Sequence, residues 1–492
     1  MNHALRRVAL ISLVMFVLLL VNVNYVQGFE ASSLANEPGN GRTFTSTLQF
    51  QRGSIITSDQ KVVAYSKMNK AFGEYQRYYP EGKMYAPVTG YDTLFSQTGI
   101  ELAENKELSG SDPALAVHNL IDLITGKQKK GATVETTLNS AAQEAAYNAL
   151  NAQGKEAGVV ALNPKTGAVL AMASNPTFDP NQLATLNGKQ LNANDQKLLK
   201  NPNQPLLNRA INVTFPPGSS FKVVTSSTAM ADKGINQNTP VFAPTQLKLP
   251  GVTQPLINFD GEACGDGSGH VPLIQAFLQS CNTVFGNLGL HLTGQQLQRQ
   301  ASLFGFNNPK LTIPLPVTQS NFPLYTDPAM RAGAAIGQES DTVTPLQEAM
   351  LASAIANQGA LMKPYMVDKV TAPDLTTLST TQPTVLSHPV SPTTATNVTD
   401  MMIQVTQNPQ GTAHISAGTQ ATGGIVIAAK TGTAQNGINN SGLDDAVFTC
   451  FAPASNPKIA VGVVVKGGGQ GADAAAPIAV AIITAYLKAV GQ

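Results

Sequence analysis

Tryptophan is absent from the 492 residues, cysteine occurs three times, and only 12% of positions carry Asp, Glu, Lys or Arg. Thirty-one basic residues stand against 30 acidic ones, a net charge of +1. That balance removes any general electrostatic argument for nucleic acid or another polyanion as a partner. No Lys/Arg-rich block exists, and the densest stretch, "GKQKKG" at 126–131, reads as a solvated linker. An odd cysteine count leaves at least one thiol unpaired and does not suit a disulfide scaffold. The six histidines (His3, His118, His270, His291, His388, His414) form no H-E-x-x-H, no G-x-S-x-G elbow occurs, and no stretch ends as a P-loop. Zincin, Ser-His-Asp hydrolase and P-loop chemistry therefore drop out, and no metal or cofactor is expected. No internal repeat of fixed period is visible.

What is present begins with a long apolar run. Arg6 and Arg7 precede "VALISLVMFVLLLV", uncharged from Val8 to Val21 and continuing to Val26. Nineteen residues of helix rise about 28 Å, close to the hydrocarbon thickness of a bilayer. The run is longer than a usual signal core, and "NYVQGF" after it offers no small-x-small cleavage site. It therefore reads as an uncleaved signal anchor over residues 1–27 rather than a cleaved signal peptide. The arginines keep the N-terminus cytoplasmic, so everything after residue 27 is expected outside.

The remaining length suits two further domains. Residues 43 to 100 read as short strands broken by turns, "SDQK" at 58–61 among them. Polar "SGSDPA" and "TGKQKKGAT" bracket an apolar helical stretch, which sets the expected border at 130, with 28–130 and 131–492 as units. "TVETTLN" and "AAQEAAYNALNAQG" read as strand and helix, the latter closed by Gly154. "AGVVALNPKTGAVLAMAS" reads as a hairpin. The far end supplies "GGIVIAAKTGTA", "DAVFTCFAPAS" and "PKIAVGVVVKG", then an alanine-rich helix from about 472 to 490. A sheet built from both ends around a helical middle is an α+β arrangement. Thr- and Pro-rich 371–400 reads as a surface connection leading to a helix at Ser391-Pro392.

The chemistry concentrates in "FPPGSSFKVV", residues 215–224. Pro-Pro cannot continue a helix and Gly218 allows a sharp turn into one, which puts Ser219 at a helix start among unpaired N–H groups. Lys222 lies one turn along on the same face, beside the Ser219 hydroxyl. A bland reading is open: Ser219 as an N-cap and Lys222 as a surface residue. Against it, Phe221, Val223 and Val224 surround Lys222 with apolar side chains, where an unpaired lysine is rare. A lysine partly out of water has a lowered pKa and can serve a serine as base. Polar neighbours are available: Ser280 and Asn282 form S-x-N 61 residues after Ser219, and "KTGTA" follows 150 residues after that, on a strand. There Gly432 lets a substrate backbone approach, Thr431 and Thr433 offer hydroxyls, and Lys430 offers a partner for a carboxylate. Each motif alone is weak; all three in order, each on a fitting element, are strong.

With these motifs on the page, the chain resembles the class B penicillin-binding proteins, membrane-anchored D,D-transpeptidases that cross-link peptidoglycan. "RGSIITSD" (52–59) and "RYYPEGKMYAPVTGY" (77–91) are similar to the signatures of that family's N-terminal domain. "GAVLAMASNPTFDPN" (167–181), "PPGSSFK" and "TPLQEAMLASAIANQG" (344–359) are similar to its transpeptidase stretches. The likeness runs over nearly the whole chain and is greatest to the short actinobacterial type serving elongation or septation. Three departures touch loops rather than the motifs: Gln60 and Glu339 stand where glycine is common, and "DDAVFTCFAP" lacks an aromatic-rich start.

The resemblance implies a five-stranded antiparallel sheet flanked by helices, preceded by a smaller strand-rich domain and one membrane helix. It implies a stem peptide ending in D-Ala-D-Ala as substrate and β-lactams as acylating mimics. Ser219 is then the nucleophile and Lys222 its base, with Ser280 passing a proton to the leaving D-Ala. Asn282 orients Lys222 and holds the substrate amide. Lys430 with Thr431 and Thr433 binds the carboxylate, and the N–H groups of Ser219 and Thr433 form the oxyanion hole. The N-terminal domain is expected to be a non-catalytic pedestal or docking module for a membrane glycosyltransferase and for division or elongation proteins. Two rival hydrolytic readings differ in how the acyl group leaves. A D,D-carboxypeptidase uses water, and a β-lactamase needs a Glu such as that of E-x-x-L-N. "ETTLN" (Glu135–Asn139) matches that pattern but lies 84 residues before Ser219, on an expected strand. A non-catalytic β-lactam sensor or scaffold is the rival of another class, and the intact Ser219, Lys222, Ser280, Asn282 and Lys430 argue against it. Cys264, in Gly-rich "GEACGDGSGH", and Cys281, inside S-x-N, leave two readings open: two buried thiols, or a bridge that clips that loop beside the site.

Overall fold

The computed structural model describes residues 3–30, 34, 48–435 and 442–491. The strands that matter are, in chain order, β1 (Ile55–Ile56), β2 (Val62–Asn69), β3 (Glu74–Tyr78), β4 (Thr133–Thr136), β5 (Ala157–Leu162), β6 (Val169–Asn175), β7 (Val367–Thr371), β8 (Thr377–Thr380), β9 (Ala428–Ala434), β10 (Asp445–Ala452) and β11 (Ile459–Val465). The main helices are α1 (His3–Tyr25), α2 (Gly82–Thr89), α3 (Ser140–Gln153), α4 (Lys222–Lys233), α5 (Leu273–Leu278), α6 (Asn282–His291), α7 (Pro345–Ala356), α8 (Pro392–Gln407) and α9 (Ala476–Ala489).

Helix α1 carries the apolar N-terminal run, and its large side chains from Val8 to Val21 all face outward. It uses none of that surface to pack against the described remainder of the chain. The 25 residues from Arg6 to Glu30 are long and apolar enough to cross a membrane.

A six-stranded sheet has the order β8-β7-β4-β1-β2-β3. The β1–β4 pair is parallel (Ile55 opposite Val134) and its other pairs are antiparallel. This sheet crosses the border expected at 130. Val134 pairs with Ile55 on one side and Val370 on the other, so β4, β7 and β8 complete a sheet begun by the N-terminal segment. The stretch 371–400 is correspondingly more than a connection. Its β-branched threonines supply the exposed edge strand β8 before Ser391 accepts from Thr394 N–H as the N-cap of α8. The expected strands over 80–100 give way to helix at Gly82–Thr89, followed by turns and a single Asp92–Gln97 bridge before the short helix Gly99–Ala103. Two-residue alternation ends at Tyr78, and in α2 the buried residues Gly82, Tyr85, Ala86, Val88 and Thr89 follow a helical spacing. The part of that reading before residue 48 lies outside the described residues.

The "RGSII" and "RYYPEG" stretches meet inside this lobe. Glu101 accepts from Arg52 Nε and Arg77 Nε, each at 2.6 Å, and from the Tyr79 hydroxyl at 3.1 Å. Burial alone would raise the Glu101 pKa, but the guanidiniums of Arg77 and Arg52 outweigh it and hold the carboxyl below its ordinary value. In the turn before β2, Gln60 adopts φ 66°, the left-handed conformation that glycine enters without strain, so this departure from the family pattern costs about 1 kcal/mol.

The second sheet is fully antiparallel, in the order β9-β10-β11-β5-β6. Every residue of β5, β10 and β11 is buried. Near-continuous burial of this kind requires cover on both faces. Helices α3 and α9 pack on the sheet from one end of the chain each, and α7 packs on β11, β5 and β10. All but one of the twelve residues of α7 are buried, which makes it the central helix of the domain. Gly154 caps α3 in the left-handed conformation, as its position suggested. β9 is the edge strand of this sheet and carries Lys430 to Ala434.

Candidate active site

The turn that presents Ser219 is shaped by its own sequence. Gly218 has φ 53° and sits so close to β9 that a Cβ would approach Thr433 O to 2.8 Å. Its N–H donates to Gly337 O at 3.0 Å. Residues Gly218–Phe221 form one turn of 3₁₀ helix and Lys222 opens α4. The strand comes equally close: a Cβ on Gly432 would lie 2.7 Å from Pro217 O. Ser219 is half-buried at this junction, whereas Ser220 and Lys222 are wholly buried.

Three polar groups gather around the Lys222 amine. Nζ donates to Ser280 O at 2.7 Å, to Asn282 Oδ1 at 2.7 Å and to Ser280 Oγ at 3.1 Å. It therefore points toward the S-x-N loop, while the sequence had suggested the Ser219 hydroxyl as its neighbour. That loop is a tight reversal between α5 and α6 in which Ser280 adopts φ 59°, an uncommon conformation for a non-glycine residue and one found at functional sites. Asn282 Nδ2 donates to Ile257 O at 3.4 Å, which turns Oδ1 toward the lysine. Between them Cys281 is bonded to Cys264, with Cα atoms 5.8 Å apart, so the Gly-rich loop is tied to the S-x-N turn. Cys450 is a free, buried thiol.

Lys430 reaches the same hydroxyl from the sheet. Its Nζ donates to Ser280 Oγ at 2.9 Å and to Thr431 O at 3.0 Å. Ser280 Oγ thus bridges two amines, and the rings of Phe285 and Phe277 lie 5.5 and 5.6 Å from them. Burial, and then the charge of Lys430, hold Lys222 well below the ordinary lysine range. Burial alone pushes Lys430 down to about 7. Lys430 can therefore exchange a proton near neutrality, Lys222 gives up its proton far more readily than an ordinary lysine, and a hydroxyl between them can carry a proton from one side to the other.

The geometry adds residues that no motif marked. Thr431 Oγ1 is within 2.8 Å of Thr412 Oγ1, which steadies a hydroxyl of the K-T-G strand. Gln338 bridges the strand end, donating from Nε2 to Thr433 O at 3.0 Å and accepting from Gln435 N–H at 3.2 Å. Glu348, on α7, meets Ser220 Oγ at 2.7 Å. Thr412 lies in a loop without periodicity and gave no signal. Glu348 did give one, as the lone ionisable residue of α7. The β-lactamase-like "ETTLN" has structural duties instead: Glu135 pairs with Lys369 at 3.2 Å, and Asn139 caps α3.

Comparison with known proteins gives the family. A family model described as "Penicillin binding protein transpeptidase domain" matches residues 157–484, and one described as "Penicillin binding protein A dimerisation domain" matches 52–134. The chain is 41% identical to the peptidoglycan D,D-transpeptidase PbpA of Mycolicibacterium smegmatis and 38% identical to that of Mycobacterium tuberculosis. Each alignment covers 99% of both chains. The structure is similar to the penicillin G acyl-enzyme complex of penicillin-binding protein A from M. tuberculosis, with a TM-score of 0.82 and 38% identity, covering 89% of this chain and 99% of the other.

Proposed function

The chain belongs to the penicillin-binding protein transpeptidase family, and we propose a division of labour among its site residues for the reaction that family performs. The protein is a serine-type peptidoglycan D,D-transpeptidase of cell-wall synthesis, acylated by β-lactams. The observation that carries the assignment of roles is the hydrogen-bonded chain Lys222–Ser280–Lys430 behind Ser219, with both amines stripped of water.

A proton count gives the direction of flow. As a neutral amine Lys222 has two N–H bonds, which satisfy Ser280 O and Asn282 Oδ1, and one lone pair left for a hydroxyl proton. Ser219 Oγ attacks the carbonyl of the penultimate D-Ala while Lys222 takes its proton. The N–H groups of Ser219 and Thr433 stabilise the oxyanion. As the amide C–N bond breaks, Ser280 gives its proton to the departing D-Ala nitrogen and is reprotonated from Lys222. Protonated Lys430, already bonded to Ser280 Oγ and Thr431 O, has its third N–H for the substrate carboxylate, beside Thr431 and Thr433. Gly432 keeps the strand close to the nucleophile turn, and Asn282 holds the substrate amide. An amine from a second stem peptide then takes the acyl group, its proton returns to Ser219, and a cross-link results.

The rest of the reading follows the chain. Residues 1–27 anchor the protein in the plasma membrane with the N-terminus cytoplasmic and the catalytic domain outside. Residues 28–130 serve as a non-catalytic pedestal that docks a membrane glycosyltransferase and division or elongation proteins, with 131–492 as the catalytic unit. A carboxypeptidase outcome, with water as acceptor, uses the same residues.

The test is intact-protein mass spectrometry of the full chain in detergent after exposure to penicillin, comparing Ser219→Ala with Ser220→Ala. The mass increment is expected to vanish in the first and to persist in the second. An increment that survives Ser219→Ala overturns the assignment.

A further inference from the structure

Glu348 is wholly buried in the central helix, and no cation pairs with it among the described residues. Its Oε1 lies 2.7 Å from Ser220 Oγ, and its Oε2 has no partner. Ser220 Oγ lies also 2.8 Å from Pro217 O. The hydroxyl owns one proton and the carbonyl can only accept. With an ionised Glu348, one of these two contacts would be an uncompensated oxygen–oxygen approach in a buried site. With a protonated Glu348, both are hydrogen bonds: the carboxyl donates to Ser220 Oγ, which donates to Pro217 O.

We propose that Glu348 is a positioning residue for the acylation reaction, a neutral acid whose proton locks Ser220 onto Pro217 O and so fixes the turn that carries Ser219. Pro217 O and Ser220 bracket that turn, so the lock acts on both the Ser219 hydroxyl and the Ser219 N–H. Strand β9 and Gly337 hold the same turn from the other directions. Burial, offset in part by the contact with Ser220, pushes the Glu348 carboxyl up to about 8, in keeping with a proton retained at neutrality. The helix itself is held from the sheet, where Thr449 Oγ1 donates to Glu348 O at 2.6 Å.

The inference rests on Ser219 as the nucleophile, and its test separates the two. The full chain in detergent is compared with Glu348→Gln, which keeps a donor at that point, and Glu348→Met, which keeps the bulk and removes the donor. Stopped-flow acylation by a chromogenic cephalosporin yields the dissociation constant of the first complex and the acylation rate separately. Glu348→Met is expected to acylate about tenfold more slowly, the factor that about 1.4 kcal/mol of lost positioning carries, with the dissociation constant unchanged. Glu348→Gln is expected to restore most of the rate. The infrared difference between the parent and Glu348→Gln at neutral pH is expected to contain the carbonyl band of a protonated carboxyl, a readout independent of Ser219 chemistry and of how well Glu348→Met folds. Parent-like acylation in Glu348→Met, equal slowing in Glu348→Gln, or a carboxylate band in place of the carboxyl band would each overturn the proposal.

Discussion

Replacing Lys430 by Gln removes a charge beside Lys222 while leaving a donor for Ser280 Oγ. Ser280 Oγ is 3.1 Å from one amine and 2.9 Å from the other. The two nitrogens are therefore no more than about 6 Å apart, and at an effective dielectric of about 20 two positive charges there repel by roughly 3 kcal/mol. That repulsion makes the first proton of the pair leave more readily than it would from a lone amine. With Lys222 as the proposed base, acylation needs it neutral, so the acid limb of the acylation rate marks that first release. The assay is the rate of acylation by a chromogenic cephalosporin between about pH 4 and pH 9, with far-ultraviolet circular dichroism to show that the chain stays folded. In Lys430→Gln the acid limb should move to higher pH, because the remaining amine gains a proton more easily. The height of the profile should fall as well, since a carboxylate partner is lost, but the position of the limb is the informative quantity. Lys430→Arg keeps the charge and should leave the limb at the parent position or lower. A limb that stays in place in Lys430→Gln, or moves to lower pH, would refute the claim that the charge of Lys430 adds to burial in keeping Lys222 neutral.

The disulfide and the buried ion cluster give two further expectations. Closing the 17-residue segment between Cys264 and Cys281 is worth about 3 kcal/mol in the chain-entropy account, so Cys264→Ser/Cys281→Ser should lower the melting temperature and slow acylation by loosening Ser280 and Asn282. Melting and acylation both unchanged on reduction would contradict this. Glu101→Gln leaves the buried Arg77 without a carboxylate partner and Arg52 with only Asp92 at 3.7 Å, and should destabilise the chain by about 3–5 kcal/mol in denaturant titrations, against less than about 1 kcal/mol for Lys61→Gln, which removes a partly exposed pair with Glu81. Equal losses in the two variants would show the cluster to be dispensable.

What the sequence made legible was local, and what it withheld was reached only through tertiary contact. Ser219 and Lys222 could be paired on paper because three residues of helix bring side chains to one face. A sheet built from both chain ends could be anticipated because β5 and β11 lack polar side chains along their whole length, while its antiparallel order was implied only by the resemblance. The bridging of two amines by Ser280 Oγ could not, since its partners are 58 and 150 residues away and the reversal that aims it depends on a left-handed serine. The same limit applies to β4, four residues that read as an isolated strand until both neighbours arrive from distant segments. Glu348 shows how such a limit can be narrowed. A single ionisable residue in a helix buried at all but one position is a local anomaly, and burying a carboxyl without a cation costs several kcal/mol unless it stays protonated. The anomaly alone therefore predicts a neutral acid with a hydrogen-bond partner. Only the fold supplies that partner, 128 residues away, on the turn that carries Ser219.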